Sequence, residues 1–444
     1  MTQPLSVPHD LGPWLDAAKC PEVPPPRALM SAATRELHAA IDAQTERTGR
    51  PYLHPSEPTV QLDLRNTDTI IAWQEQKGLF LFTGEGCWSE LPPLYARYGT
   101  LQTQALISAV RALESARAAL VTDCGMQAIA LTFDVLMTPG AHAVLMRQVY
   151  NKTRAYLEWL ARRVAGELTV VDDGDWPALA AAVRPETTLV FAETFTNPRL
   201  RAQDPERLGQ FARDARRTAP GLRMVLDTTI ASPWSLRRPA LEHAGIDVVV
   251  ASGTKAAGGQ DRDLWGYVAT NDVDLANQIM DLMAMRGGII ESRRAEVLAE
   301  ALTTHAPLDF ARRCDTATQV AAFLAAHPRV SEVLHPSRPD HPDREAIDTH
   351  YRRHGSLLSF RVADADEAET RCVADRIAAT GIFRCALSFD GLVSKVNHHK
   401  SVSEYFTPDD VLARNGFDRL VRLGIGLEAP EDLMACLAWG LRSP

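Results

Sequence analysis

The stretch Val248-Val249-Val250-Ala251-Ser252-Gly253-Thr254-Lys255, followed by Ala256-Ala257-Gly258-Gly259, decides how the rest of the chain is read. Its first half is an apolar, β-branched run short enough for a parallel strand buried on both faces, and it ends abruptly in two hydroxyls and a lysine. Open α/β sheets bind ligands outside the carboxyl ends of their strands, so a lysine delivered there faces a candidate site. In partly apolar surroundings an amine gives up its proton more readily than at a surface, which is what a Schiff-base lysine requires. The hydroxyls of Ser252 and Thr254 suit an anion such as a phosphate. Taken alone, the tetrapeptide is better read as a surface lysine in a βα loop.

A second run, Leu222-Arg223-Met224-Val225-Leu226-Asp227-Thr228-Thr229, changes that balance. It ends in a carboxylate, and a carboxylate at the end of a neighbouring strand can pair with a protonated ring nitrogen. Lys255 and Asp227 together are the minimal equipment for pyridoxal 5'-phosphate. Around both, the sequence resembles the Cys/Met metabolism family of pyridoxal-phosphate enzymes, the cystathionine γ-synthase and methionine γ-lyase relatives. The family pattern Ser-x-Thr-Lys with a following glycine is met by Ser252 to Gly258. Asp-Asn-Thr with a downstream proline is met by Asp227, Thr229 and Pro233, with Thr228 in place of the asparagine.

Composition is ordinary for a soluble globular protein: 444 residues, 45% hydrophobic, 23% charged, net charge −9. Without a Lys/Arg-rich block or an aromatic-basic stripe, no nucleic-acid partner is expected. The start, Met1-Thr2-Gln3-Pro4-Leu5, lacks a charged segment followed by an apolar one, and no stretch reaches the ~18 apolar residues of a membrane helix. Cytoplasmic residence and no membrane association are the expectation. Seven cysteines (Cys20, Cys87, Cys124, Cys314, Cys372, Cys385 and Cys436), without a Cys-x-x-Cys pair, read as free thiols. His335, His341 and the pair His398-His399 lack a carboxylate or cysteine at ligand spacing, so they read as solvent-exposed and no metal is expected.

Taken in order, residues 1–100 read as an arm, with a proline-rich start and one helical segment over 28–48. Residues 101–288 alternate strands and helices, which argues for a mostly parallel sheet covered on both faces, the large cofactor-binding domain. From residue 289 to 444 long amphipathic helices alternate with strands near 356–360, 383–389 and 420–427, an α+β carboxyl-terminal domain. The junction Asp123-Cys124-Gly125-Met126 turns a strand into a helix whose positive end suits an anion. Asp123 is then a negative group beside a dianion, and either caps the helix or is neutralised by Arg97.

The resemblance implies the fold-type I transferase architecture and assigns further residues. Tyr95 and Arg97 match the Tyr-x-Arg element that reaches the cofactor phosphate of an adjacent subunit, and a guanidinium fork suits a dianion. Gly125 and Met126 match the turn under the phosphate. Tyr150 matches the tyrosine stacked on the ring, a candidate proton donor or acceptor. Asn197, in Glu193-Thr194-Phe195-Thr196-Asn197-Pro198, matches the asparagine near the cofactor's phenolic oxygen or the substrate carboxylate. In Leu420 to Glu428, Arg422 matches the arginine for the substrate α-carboxylate. An arginine inside an apolar strand is costly without an anion, although an internal carboxylate serves as well as a ligand. Ser388 matches a residue of the loop beside the substrate side chain, where Phe389, Asp390 and Val393 depart from the pattern. Gln260 stands where histidine is usual.

The implied enzyme is a homo-oligomer, a dimer of dimers, whose phosphate site is shared between subunits. Its implied activity is γ-replacement or γ-elimination on an activated homoserine-like amino acid, with Lys255 and Tyr150 moving protons. The departures at Asp123, Thr228, Gln260 and Val393 point to an unusual substrate, in secondary metabolism. β-Elimination by a C–S lyase and a non-catalytic relative of the fold are the alternatives. No Gly-x-Gly-x-x-Gly follows a strand, which argues against a dinucleotide-binding dehydrogenase.

Overall fold

The β-branched run at Val248–Ala251 forms strand β6, and all four residues are buried. In the computed structural model, which describes residues 66–258 and 260–442, it lies near the centre of a seven-stranded sheet. The others are β1 (Ala118–Thr122), β2 (His142–Met146), β3 (Glu167–Val171), β4 (Thr187–Glu193), β5 (Arg223–Asp227) and β7 (Gly266–Thr270). Their order is β1-β7-β6-β5-β4-β2-β3. Strands β2 to β6 pair in parallel, and β7 runs antiparallel between β1 and β6. The sheet is therefore mostly parallel, with one reversed strand that sequence reading had not separated from its surroundings. Parallel neighbours require crossovers, and the helices Asn151–Arg163, between β2 and β3, and Pro205–Ala215, between β4 and β5, supply them. The last opens on Asp204, whose side chain accepts from Arg207 N–H, with Pro205 in the first turn where its missing N–H costs nothing.

Parallel pairing brings the ends of β4, β5 and β6 to one edge. Glu193 lies beside Asp227, and Asp227 beside Val250. The candidate lysine follows at that same edge.

A second sheet has the order β10-β11-β12-β9-β8. It comprises β8 (Val330–Leu334), β9 (Leu357–Val362), β10 (Arg384–Cys385), β11 (Lys395–His398) and β12 (Val421–Gly424). Helices Glu367–Ala379 and Pro430–Gly440 pack Val373, Ile377, Leu433 and Leu437 onto its buried Phe360, Val421 and Leu423. The strand expected over 383–389 is reduced to Arg384–Cys385, and beyond it the chain runs as a loop in which Asp390 and Gly391 take positive φ (61° and 113°). This short β10 is the edge strand and pairs in parallel with β11.

The reading of four histidines as solvent-exposed is corrected: His335, His341, His398 and His399 are all buried. Neutral imidazoles are tolerated there because most find partners. His335 Nδ1 meets Ser337 Oγ at 2.7 Å, His341 Nε2 meets the Leu200 carbonyl at 3.0 Å, and His398 lies between Ser401 and the Asp418 carbonyl. His399 packs edge-on against Phe417. Burial pushes His335 and His399 each down to about 3. Among the described residues no group of three or more His, Cys, Asp or Glu is arranged to hold a metal, and no helix is long and apolar enough to cross a membrane. The helix expected over 28–48 and the proline-rich start lie outside the described residues; within 66–100 the structure has a helix at Thr67–Thr83.

Candidate active site

Lys255 follows β6 in a tight turn whose N–H returns to the Ser252 carbonyl at 3.2 Å. Its Nζ donates to Ser388 Oγ at 2.7 Å and lies 5.4 Å from the centre of the Phe389 ring. Burial holds this amine below the usual lysine range, Lys395 and Arg422 reinforce the effect, and Asp390 and Asp261 oppose it.

One strand away, Asp227 is buried and accepts from the Thr229 N–H at 2.7 Å. Among the described residues no cation pairs with it. Burial pushes Asp227 up to about 6, and adjacent Glu193 well above the usual carboxylate range, with Asp227's own charge adding to the effect on Glu193. Glu193 accepts the Tyr150 N–H at 2.6 Å, so the residue in register with Asp227 also holds the backbone of the tyrosine. The Tyr150 ring is half exposed, and its phenol is raised by burial against a lowering from Arg422.

Arg422 lies in β12, 3% exposed. It donates from Nη2 to the Leu387 carbonyl at 2.9 Å and from Nη1 to Ser403 Oγ at 3.5 Å, and no carboxylate among the described residues reaches it. The internal carboxylate left open by the sequence is thus missing. Burial pushes the guanidinium down to about 10.

Beside Lys255 the helix Gly125–Leu136 starts against Ser252. A Cβ on Gly125 would lie 2.6 Å from Ser252 Cβ and 2.7 Å from its Cα, so only glycine brings the helix start this close. The N–H groups of Gly125 and Met126 open that helix, where anions bind. The Thr254 hydroxyl is already occupied: it donates to the Trp265 carbonyl at 3.2 Å and accepts the Trp265 N–H at 3.0 Å. Asn197 Oδ1 is buried and without a hydrogen-bond partner.

Tyr95 and Arg97 do not join this group within the chain. Both are exposed, Arg97 lies over the rings of Tyr95 and Tyr98, and neither bonds to Lys255, Asp227 or Ser252. Asp123 does not take the helix-cap role that was one of the two expected for it. The helix cap is Cys124, Asp123 Oδ1 is buried without a partner, and no ion pair joins it to Arg97.

Several members went unforeseen. Glu193 stood in a quoted motif without a role; Ser403, Lys395, Asp261 and Arg313 had none. A local signal existed at Lys395, a charge opening a buried strand, whereas Ser403 and Asp261, set among polar neighbours, carried none.

The residues fit pyridoxal phosphate. A buried acid without a cation suits a protonated ring nitrogen, an orphaned amide oxygen suits a polar ring substituent, and the Gly125 turn beside Ser252 suits the phosphate. An amine, an acid and an anion turn along one edge of a mostly parallel sheet define a pyridoxal-phosphate enzyme of the large α/β class.

Comparison with known proteins narrows the class. Residues 89–442 match the Cys/Met metabolism PLP-dependent enzyme family, and the chain belongs to it. An L-methionine gamma-lyase of Fusobacterium nucleatum is 29% identical over 388 residues, covering 86% of this chain and 93% of that protein. A cystathionine gamma-synthase of Mycobacterium bovis is 32% identical over 347 residues, covering 78% and 86%. Among solved structures, the cystathione gamma lyase CalE6 of Micromonospora echinospora superposes with a TM-score of 0.79 at 25% identity, covering 94% of this chain and all (100%) of that one. The fold and the dependence on pyridoxal phosphate are those of the family.

Proposed function

We propose that the protein catalyses γ-replacement, or γ-elimination, on an activated homoserine-like amino acid, with an unusual substrate of secondary metabolism at the departing end. The observation that carries this reading is Arg422: a buried guanidinium with no carboxylate of its own, on the side of the site where Tyr150 lies. The relatives' names, a gamma-synthase and a gamma-lyase, support the same chemistry.

Bound at this edge, pyridoxal phosphate supplies an electron sink for charge developing on the amino acid. The chain's own residues do the rest. Ser252 and the N–H groups of Gly125 and Met126 hold the phosphate, joined by Tyr95 and Arg97 from a second copy. Asp227 keeps a proton on the ring nitrogen, Asn197 helps to orient the group, and Thr254, its hydroxyl engaged with the Trp265 backbone, braces the turn behind Lys255. Arg422 fixes the substrate carboxylate through charge-assisted hydrogen bonds. Lys255, whose amine burial holds below the usual lysine range, takes the α-proton and carries a proton from the β carbon, while Ser388 steers the amine. Tyr150 gives or receives a proton at the departing group. On this reading 101–288 bind the cofactor, 289–444 receive the substrate, 1–100 reach a neighbouring subunit of a dimer of dimers, and the free cysteines suit the cytoplasm.

The deciding experiment supplies the holoenzyme with one amino acid bearing a γ-leaving group and one bearing a β-leaving group. Release of 2-oxobutanoate from the first, suppressed when a thiol nucleophile is added, is the expected result. Pyruvate from the second alone makes the enzyme a C–S lyase and sinks the proposal.

A further inference from the structure

Two buried cations occupy the seam between the loop after Lys255 and the loop that carries Ser388. Arg313, fully buried in the helix Ala306–Ala326, donates from Nη1 to the Gly391 carbonyl at 3.0 Å and from Nη2 to the Ala256 carbonyl at 3.5 Å. Lys395, buried at the start of β11, donates to the Asp390 carbonyl and pairs with Asp261 Oδ1 at 2.5 Å. Each cation therefore has one partner in 255–261 and another in 388–391.

The loop is shaped for this. Asp390 is buried at a φ of 61°, its carboxylate accepting from Ser356 Oγ. Gly391 follows at 113°, where a Cβ would overlap Asp261 Oδ2 and come within 2.7 Å of Lys395 Nζ. A buried lysine is costly unless paired, and apolar packing closes a loop at lower cost; what the charges add is direction. The clamped segment is the one that holds Ser388 Oγ at 2.7 Å from the Lys255 amine, with the Phe389 ring as a wall.

We propose that Lys395, bridging Asp261 to Asp390, is a positioning residue: together with Arg313 it clamps the 388–391 loop onto the lysine loop and sets where the Lys255 amine meets Ser388 and the substrate. This rests on reading Lys255 as the cofactor-bearing lysine. The consequence concerns aim more than affinity. Loosening the clamp leaves cofactor attachment intact and slows the steps in which Lys255 moves protons.

The test uses the holoenzymes of wild type, Lys395→Met, Lys395→Arg and Asp261→Asn. Hydrogen–deuterium exchange, borohydride trapping of the cofactor on the Lys255 peptide, and separate kcat and KM values are measured. The expected result for Lys395→Met is faster exchange in both 255–262 and 386–394, retained trapping, and a kcat loss on the order of 10²-fold, the scale of a misplacement of about 1 Å. KM moves less, and Lys395→Arg recovers part of the loss. Exchange confined to the neighbourhood of residue 395, with kcat unchanged, overturns the proposal. If Lys395→Met fails to fold, Asp261→Asn removes the same bridge from its exposed end and carries the same readouts. A wild type that traps no cofactor on Lys255 overturns the reading of the site itself, while the exchange data still decide the clamp.

Discussion

Arg422 illustrates how a single residue can be poor for stability and, on the proposed reading, right for binding. A guanidinium that is 3% exposed and satisfied only by a carbonyl and a hydroxyl has lost most of its hydration without gaining an anion. Arg422→Met should therefore raise the melting temperature of the cofactor-free protein while weakening binding of substrates that carry an α-carboxylate by about 2–5 kcal/mol, read as KM. A variant that loses stability and keeps its KM argues that the arginine is structural. Asp227 makes the complementary case. Its folded pKa of about 6 exceeds the ~3.9 of an unfolded aspartate, so the folded state keeps a proton that the unfolded chain has released. That contribution is complete at low pH and is lost as pH rises from about 4 through about 6. Cofactor-free protein should show this loss in thermal scans at stepped pH, and Asp227→Asn should flatten it. Scans of wild type and variant that run parallel remove the argument.

At the scale of the element, the helix Gly125–Leu136 and strand β6 meet at a contact that only a missing side chain permits. A Cβ on Gly125 lies 2.6 Å from that of Ser252, and a Cβ on Gly266 lies 2.6 Å from Gly125 Cα, so two glycines seat the helix start against the sheet. Gly125→Ala should cost about 1–3 kcal/mol through overpacking. It should also lower cofactor affinity, measured by spectrophotometric titration, because the helix start withdraws from the phosphate. Unchanged affinity places the phosphate elsewhere. Loop 386–394 is the second telling element. Positive φ at Asp390 and Gly391 turns it, and Glu428 braces its far end by accepting the N–H and hydroxyl of Ser394 at 2.7 and 2.8 Å.

For the whole molecule, the helix Thr67–Thr83 leaves Ile71, Leu79 and Phe82 exposed at 49%, 47% and 92%, an apolar surface that a second copy would cover with gain. Tyr95 and Arg97 are exposed in the same amino-terminal region and absent from their own chain's site. If a second copy covers this surface and receives both side chains, Arg97→Ala and Lys255→Ala, each inactive alone, should regain activity when unfolded together and refolded. Mixed dimers then carry one site without either lesion. No recovery, with mixed oligomers demonstrated by mass, separates the pair from the site.

The parts legible in the sequence were those with a local cause. The period and composition of 222–229 and 248–255 specify strands buried on both faces, and their abrupt polar ends place Asp227 and Lys255 at one sheet edge before any contact is known. What only the tertiary structure decided was which distant groups meet there. Ser388 bonds to Lys255 across 133 positions, Lys395 to Asp261 across 134, and Arg422 finds no carboxylate among the described residues. Periodicity carries no record of such pairings, because a strand's alternation depends on its own side chains, whereas a buried charge's partner depends on how separate elements pack.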